Sequence, residues 1–238
     1  MTNLTAKQSA FIESVLRLAP RVATFDCDGT LWSGDAGEGF FSWEIEQGLV
    51  SPEIARWARA RYADYRAGKV PEDVMCGEMV TMHHGLSEED VQRACDTYFK
   101  LGVEKNIFPE MQRLVQRLGD SGCEVWAVSS SNQWIIQSAM KSFGIPNGRI
   151  LAAQAAVEYG VVADRLLRVP SGLGKVEAIE SEVKRAPDCA FGNAIWDREM
   201  LALSKHAFAI NPNPNLLEIA KANRWRVYQP EVNHQGRP

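Results

Sequence analysis

The stretch Val22-Ala23-Thr24-Phe25-Asp26-Cys27-Asp28-Gly29-Thr30-Leu31 decides how the chain is read. A short, mainly apolar run passes directly into two acids, a glycine and a threonine. Such a run reads as a buried strand that delivers polar side chains at its C-terminal end. Two carboxylates one residue apart, at a strand tip and ahead of a glycine, can reach one site if the chain leaves the extended conformation there. One carboxylate is a competent nucleophile toward phosphorus, and a second can act as general acid and then as general base. Oxygen donors of this kind suit magnesium. The plainer reading is a polar turn that caps the strand, or a helix N-cap at Asp28.

Outward from this strand the pattern repeats. Cys123-Glu-Val-Trp-Ala-Val128 opens into Ser129-Ser130-Ser131-Asn132, and Asp188-Cys-Ala-Phe191 ends in Gly192-Asn193. Weaker runs follow at 207–210 and 226–228. Helical spacing lies between them: Pro109 at a first helical position ahead of Met111, Leu114, Val115 and Leu118, then Trp134 to Phe143 until Gly144 and Pro146. Strands alternating with helices predict a mainly parallel sheet covered on both faces. Residues 155–168 alternate around Tyr159-Gly160 and predict a small hairpin inserted in the sheet domain. The segment 33–106 shows helical patterns and no convincing strand. Ser51-Pro52 is a helix start, and Ser87 with Asp90 resembles a capping box. Ligands of open α/β sheets bind beyond the carboxyl ends of the strands, so this helical insert is expected over the pocket.

Composition sets the outer bounds. Of 238 residues 45% are hydrophobic and 24% charged, an ordinary soluble profile. A net charge of −4 gives no basic face for nucleic acid. No apolar run approaches the ~18 residues that span a bilayer. The first twenty residues read as an amphipathic helix interrupted by Glu13 and Arg17, so no export is expected. Five scattered cysteines without a C-x-x-C pair predict reduced, buried thiols in a cytoplasmic protein.

The string from Phe25 to Leu31, with three later matches in order, resembles the motifs of the haloacid dehalogenase superfamily of phosphatases. Asp26-Cys-Asp28-Gly-Thr30 is similar to its first motif, D-x-D-G-T. Ser129 resembles the second, Lys175 the third, and Gly192-Asn193-Ala-Ile-Trp-Asp197 the fourth, G-D-x-x-x-D. The resemblance covers nearly the whole chain. It implies a Rossmann-like α/β catalytic core, with a parallel sheet covered by helices, over residues 1–32 and 107–238, and an inserted all-helical cap over 33–106. It also implies a magnesium-dependent hydrolase of small phosphomonoesters, with Asp26 as nucleophile and Asp28 as acid and base. Thr30, Ser129, Ser130 and Lys175 would hold the phosphoryl group. Mg2+ would be held by Asp26, Asp28 (through its carbonyl), Asn193 and Asp197. Asn193 departs from the pattern, since the family usually has aspartate there. An amide oxygen still coordinates magnesium but brings no charge, so weaker metal affinity is expected.

Asp28 favours phosphoryl chemistry over carbon–halogen cleavage, because dehalogenases of the superfamily lack the second aspartate. A helical insert placed after the first motif looks most like the phosphoserine phosphatase branch, which recognises its amino acid with a cap glutamate and a cap arginine. Asp35 or Glu38 can serve for the acid, but no arginine lies between Arg66 and Arg93, and Met79 falls where one is expected. A phosphomutase on the same scaffold, or a weakly active phosphate-ligand-binding protein, are the alternatives. Gly172-Leu-Gly174-Lys175 lacks nucleotide-loop spacing. Trp32, Trp134 and Trp196 read first as packing residues, and as holders of an apolar or cationic leaving group second. His83 and His84 are expected at the surface or the pocket rim. The sequence leaves the oligomeric state open.

Overall fold

A computed structural model describes residues 4–231. In chain order the strands are β1 (Val22–Phe25), β2 (Glu124–Asn132), β3 (Ile150–Glu158), β4 (Val161–Arg168), β5 (Cys189–Gly192), β6 (His206–Ile210) and β7 (Arg226–Tyr228). They form one sheet in the order β4-β3-β2-β1-β5-β6-β7. Every neighbouring pair is parallel except β3 and β4. β1 is therefore the central strand, and all four of its residues are buried, as a strand covered on both faces must be.

The helices up to β2 are α1 (Ala6–Leu16), α2 (Ala36–Gln47), α3 (Pro52–Arg66), α4 (Glu72–Thr81), α5 (Glu88–Tyr98) and α6 (Pro109–Asp120). After it come α7 (Gln133–Met140), α8 (Leu173–Glu182), α9 (Arg198–Leu203) and α10 (Pro214–Ala222). One face of the sheet packs with α1, α6 and α7 through Phe11, Ile12, Met111, Leu114 and Ile135. The other packs with α8, α9 and α10 through Ile179, Met200, Leu201 and Leu216. This is a Rossmann-like α/β fold.

Register lines up an aromatic row across the sheet. Phe25 is paired with Phe191, and Phe191 with Phe208. Their ring centroids lie 4.1 and 4.7 Å apart. Large aromatic surfaces stacked in a core bind adjacent strands tightly. The residue after Phe25 is Asp26, whose N–H donates to Phe191 O at 2.9 Å, so the strand tip is fixed against β5.

Several predicted starts and stops hold. Ser51 caps α3 by accepting from Ile54 N at 3.2 Å, and Pro52 is its first residue. Pro109 opens α6, and Asn132 caps α7 by accepting from Trp134 N and Ile135 N. Two differ. Ser87 makes no cap hydrogen bond, and Asp90 pairs with Arg93 instead of closing a box. The start of α5 is fastened from outside, by Glu88 N donating to Gly160 O at 2.9 Å. The hairpin of 155–168 turns at Tyr159 and Gly160, both left-handed, but its first strand begins at Ile150 and pairs with β2. It thus extends the sheet edge. Residues 150–153 are buried without interruption, so alternation could not mark them.

Between β1 and α6 lie α2–α5. Part of this segment has its own cluster, around Phe41, Ile45, Val50, Ala58 and Met75. Its last helix, α5, is stitched to α7: Gln92 Nε2 donates to Ser138 Oγ at 2.8 Å, and Lys141 pairs with Asp96 at 2.7 Å. The cysteines are free, with Cys27, Cys95, Cys123 and Cys189 buried. Among the described residues no helix is long and apolar enough to cross a membrane.

Candidate active site

The carboxyl ends of β1, β2 and β5 open into a cavity of about 590 Å³, a size usual for small-molecule sites. Its floor carries Asp26, Asp28, Ser129, Lys175, Asn193 and Asp197; its roof comes from α2, α3 and α4. The topology therefore gathers residues from four separate stretches at one point.

Asp26 is 7% exposed. Its Oδ2 accepts from Thr30 Oγ1 at 2.8 Å and its Oδ1 from Lys175 Nζ at 2.8 Å. Lys175 is buried and donates also to Asp197 Oδ1 at 2.5 Å and Val128 O at 2.9 Å. An ammonium has three hydrogens, so this lysine is fully committed to holding the two carboxylates together. Burial opposes its charge, but Asp197 and Asp26 outweigh that and raise its pKa. Burial, then the Asp197 charge, push the Asp26 carboxyl up to about 6. Asp197 is also buried, and its Oδ2 accepts from Asn193 N and Ala194 N, both at 2.9 Å. It thus shapes the loop after β5.

Asp28 stands on the same strand tip. Its Oδ1 accepts from Trp32 Nε1 at 2.8 Å and Ala36 N at 2.5 Å, and Ser131 Oγ donates to its Oδ2 at 2.7 Å. Burial, reinforced by the charge of Asp35, raises its pKa to about 8. Two neighbouring carboxyls are thus held at different pKa values, the arrangement that separates acid from base.

Gly29, which follows Asp28, is left-handed, with φ +72°, and an added Cβ would fall 1.8 Å from Asn193 Nδ2. Only glycine lets the Asn193 amide lie against this loop. Magnesium prefers a few oxygen donors and keeps room for water and phosphate. The Asp26 carboxylate, the Asn193 amide and the loop carbonyls make such a set. Asp197 fits less well as a direct ligand, because its two oxygens already accept three hydrogen bonds, two of them from backbone N–H groups, against two side-chain bonds on Asp26. Among the described residues no group of three or more His, Cys, Asp or Glu side chains is arranged to hold a metal, so a cation here depends on amide and carbonyl oxygens.

The other expected residues divide. Ser129 is buried on the cavity wall, its Oγ accepting from Ser131 N at 3.1 Å. Ser130 reaches across, 3.5 Å from Glu72 Oε1. Thr30 is fully buried and is not on the cavity wall; its hydroxyl is spent on Asp26 rather than on a ligand. Trp32 and Trp134 are core residues, whereas Trp196 is 45% exposed at the cavity.

His83 corrects the expectation of a rim residue: it is completely buried. Its Nδ1 faces Val80 O at 3.1 Å and its Nε2 faces Glu44 Oε2 at 2.6 Å. A carbonyl only accepts, so Nδ1 carries hydrogen and one further proton is shared with Glu44. The pair is neutral as a unit. Burial opposes the imidazolium, but Glu44 overrides it and raises the His83 pKa; burial raises Glu44 too. Sequence reasoning gave no warning, because adjacent histidines look like surface residues until the turn after α4 points one of them inward.

Two residues went unrecognised. Ser131 lies on β2 two positions after Ser129, and side chains two apart share a strand face, so the period alone could have selected it. Glu72 opens α4, is 9% exposed and accepts from Ser171 Oγ at 2.9 Å. Burial raises its pKa to about 7. An acid in a first helical turn looks like an ordinary dipole complement, so no local signal marks it.

The family model for haloacid dehalogenase-like hydrolase matches residues 23–202. A histidinol-phosphatase from Neisseria meningitidis serogroup C (strain 8013) is 25% identical over 217 residues, covering 87% of this chain and 97% of that one. A solved protein of unknown function from Bordetella pertussis Tohama I has a TM-score of 0.77 at 19% identity, with 87% of this chain and 97% of that chain covered. A phosphoserine phosphatase solved as a phospho-aspartyl intermediate analogue has a TM-score of 0.59 at 15% identity, covering 89% and 94%. At such identities the two structures speak for the fold alone. The family match spans most of the chain and includes Asp26, Asp28, Ser129, Lys175 and Asp197: the protein is a member of the haloacid dehalogenase-like hydrolase family.

Proposed function

We propose that the protein hydrolyses a small phosphomonoester in the presence of Mg2+, through a phosphorylated Asp26. The observation that carries this is the Asp26 carboxylate, held at a strand tip by Thr30 and Lys175 with the cavity in front of it. Similarity to proteins named histidinol-phosphatase and phosphoserine phosphatase, the latter in a phospho-aspartyl analogue form, supports the reading.

The residues take distinct roles. Asp26 attacks phosphorus in line and the ester oxygen departs. Asp28 keeps its proton near neutral pH and donates it to that oxygen, then takes a proton from the water that releases phosphate. Ser131 orients Asp28. Lys175 offsets the charge of Asp26 and Asp197, and Ser129 borders the phosphoryl group. Mg2+ would be held by Asp26, Asn193 and the Asp28 backbone carbonyl, and when bound it neutralises charge on the phosphoryl oxygens. The roof made by α2–α4 excludes water and contacts the leaving group.

Phosphate release from a panel of phosphomonoesters, with Mg2+ and with a chelator, tests this. Hydrolysis of at least one ester that the chelator suppresses is expected. An isomerised sugar phosphate without free phosphate would instead identify a phosphomutase, and ligand-induced thermal stabilisation without turnover would identify a binder.

A further inference from the structure

We infer that Glu72 recognises the leaving group, and that this group carries an ammonium or similar N–H donor close to its ester oxygen; the inference rests on the phosphomonoester reading above. Glu72 comes from the inserted helices and reaches the cavity wall beside Ser130, within the same cavity as Asp26 and Lys175. Its Oε1 accepts from Ser171, in the loop that leads into α8 and Lys175. The carboxylate is thereby held in register with the site where phosphorus would sit.

Its partners are too few for its burial. The other deeply buried carboxylates have a cation or several donors: Asp26 and Asp197 share Lys175, Glu44 has His83, and Glu110 accepts from Gln8, Tyr228 and the Glu231 N–H. Glu72 has hydroxyls on one oxygen. Among the described residues no hydrogen bond or ion pair engages Oε2, although the residue is nine-tenths buried. Oε2 is left accessible in the cavity, so the carboxylate of a largely buried residue faces that space without a cation, and a positively charged substituent there supplies one.

The surroundings favour the same occupant. Asp35 and Glu38 line the roof beside the aromatic residues Phe41, Tyr62 and Tyr65, and aromatic rings attract a cation placed over their faces. Among the described lining residues the fixed cations are Lys175, whose hydrogens are all used, and Arg66. A leaving group with a second anion meets more carboxylates than cations.

Three esters of matched size test this: O-phosphoethanolamine with an ammonium, propyl phosphate without charge on the alkyl chain, and 2-phosphoglycolate with a carboxylate. With Mg2+ present, kcat/KM for the ammonium ester should exceed that of the neutral one by about tenfold or more, with the carboxylate ester last. In Glu72→Gln, which keeps the size and an oxygen for Ser171, the ammonium-to-neutral ratio should fall to within about threefold. A parent protein without the preference, or one favouring the carboxylate, overturns the inference, and so does a variant that keeps the full ratio or loses all esters equally. If no ester is hydrolysed, the phosphatase reading fails separately. Calorimetric affinities for the same esters then decide Glu72: tighter binding of the ammonium ester that the variant loses supports it, and equal affinities sink it.

Discussion

Asp26→Asn should leave a folded protein whose phosphate release is slower by about a thousandfold or more. The loss follows from chemistry: an amide is no nucleophile toward phosphorus, and no second carboxylate stands in its position. The survival of the fold follows from the hydrogen bonds. Asn keeps an oxygen toward Lys175 and turns its amide nitrogen toward Thr30 Oγ1, and a hydroxyl can accept as well as donate. Lys175 retains Asp197 and Val128 O. Asp26 is moreover a buried acid whose pKa is raised to about 6, chiefly by desolvation, so losing its charge relieves the interior. Far-ultraviolet circular dichroism and thermal unfolding beside the phosphate assay separate the two effects. Turnover within tenfold of the parent would remove Asp26 from the chemistry.

Asp28→Asn should have two opposite consequences. Turnover falls by roughly a hundredfold or more, because the proton donor and the base for water are lost together. Stability in the presence of a chelator rises instead, and the gain depends on pH. In the folded chain Asp28 holds its proton up to about pH 8, whereas the unfolded side chain releases it near 3.8. Between those values the native state binds the extra proton, so this residue makes folding less favourable as pH climbs. Asparagine does not titrate. The variant and parent should unfold alike at pH 4, and the variant should be more stable at pH 8 by on the order of 5 kcal/mol. Urea unfolding at the two pH values measures this. A variant less stable than the parent at pH 8 would mean that the Trp32, Ala36 and Ser131 bonds to the carboxylate outweigh its burial. The pattern expected is that of a functional group kept at the expense of stability.

Much of this was legible in the chain itself. Apolar runs ending in acids, serines or a Gly-Asn pair located β1, β2 and β5, because fully covered parallel strands must be apolar along their length and can change character only at their tips. The same rule brought Asp26 and Ser129 together, whereas Lys175, on α8, and Asp197, in the turn after β5, were marked only by the resemblance to the family's later motifs. Other features depend on distant partners. Thr30 looked like a ligand for phosphate until the turn after β1 aimed it back at Asp26. His83 needed Glu44 from another helix, and Glu72 needed Ser171 from beyond the hairpin. Such pairings across 39 or 99 positions leave no periodic trace. The first half of β3 escaped for the opposite reason: it is buried on both faces, so it shows no alternation.

The central claim is that Asp26 itself carries the phosphoryl group between the ester and water. The Asp28→Asn protein is suited to trapping it with p-nitrophenyl phosphate, whose leaving group departs without a donated proton while attack by water lacks its base. Acid quenching after the first turnover, borohydride reduction and peptide mass mapping then report the site. Conversion of Asp26 to homoserine, dependent on the ester, is the predicted result. A burst of nitrophenolate with Asp26 unmodified, or with phosphate on any other residue, would contradict it.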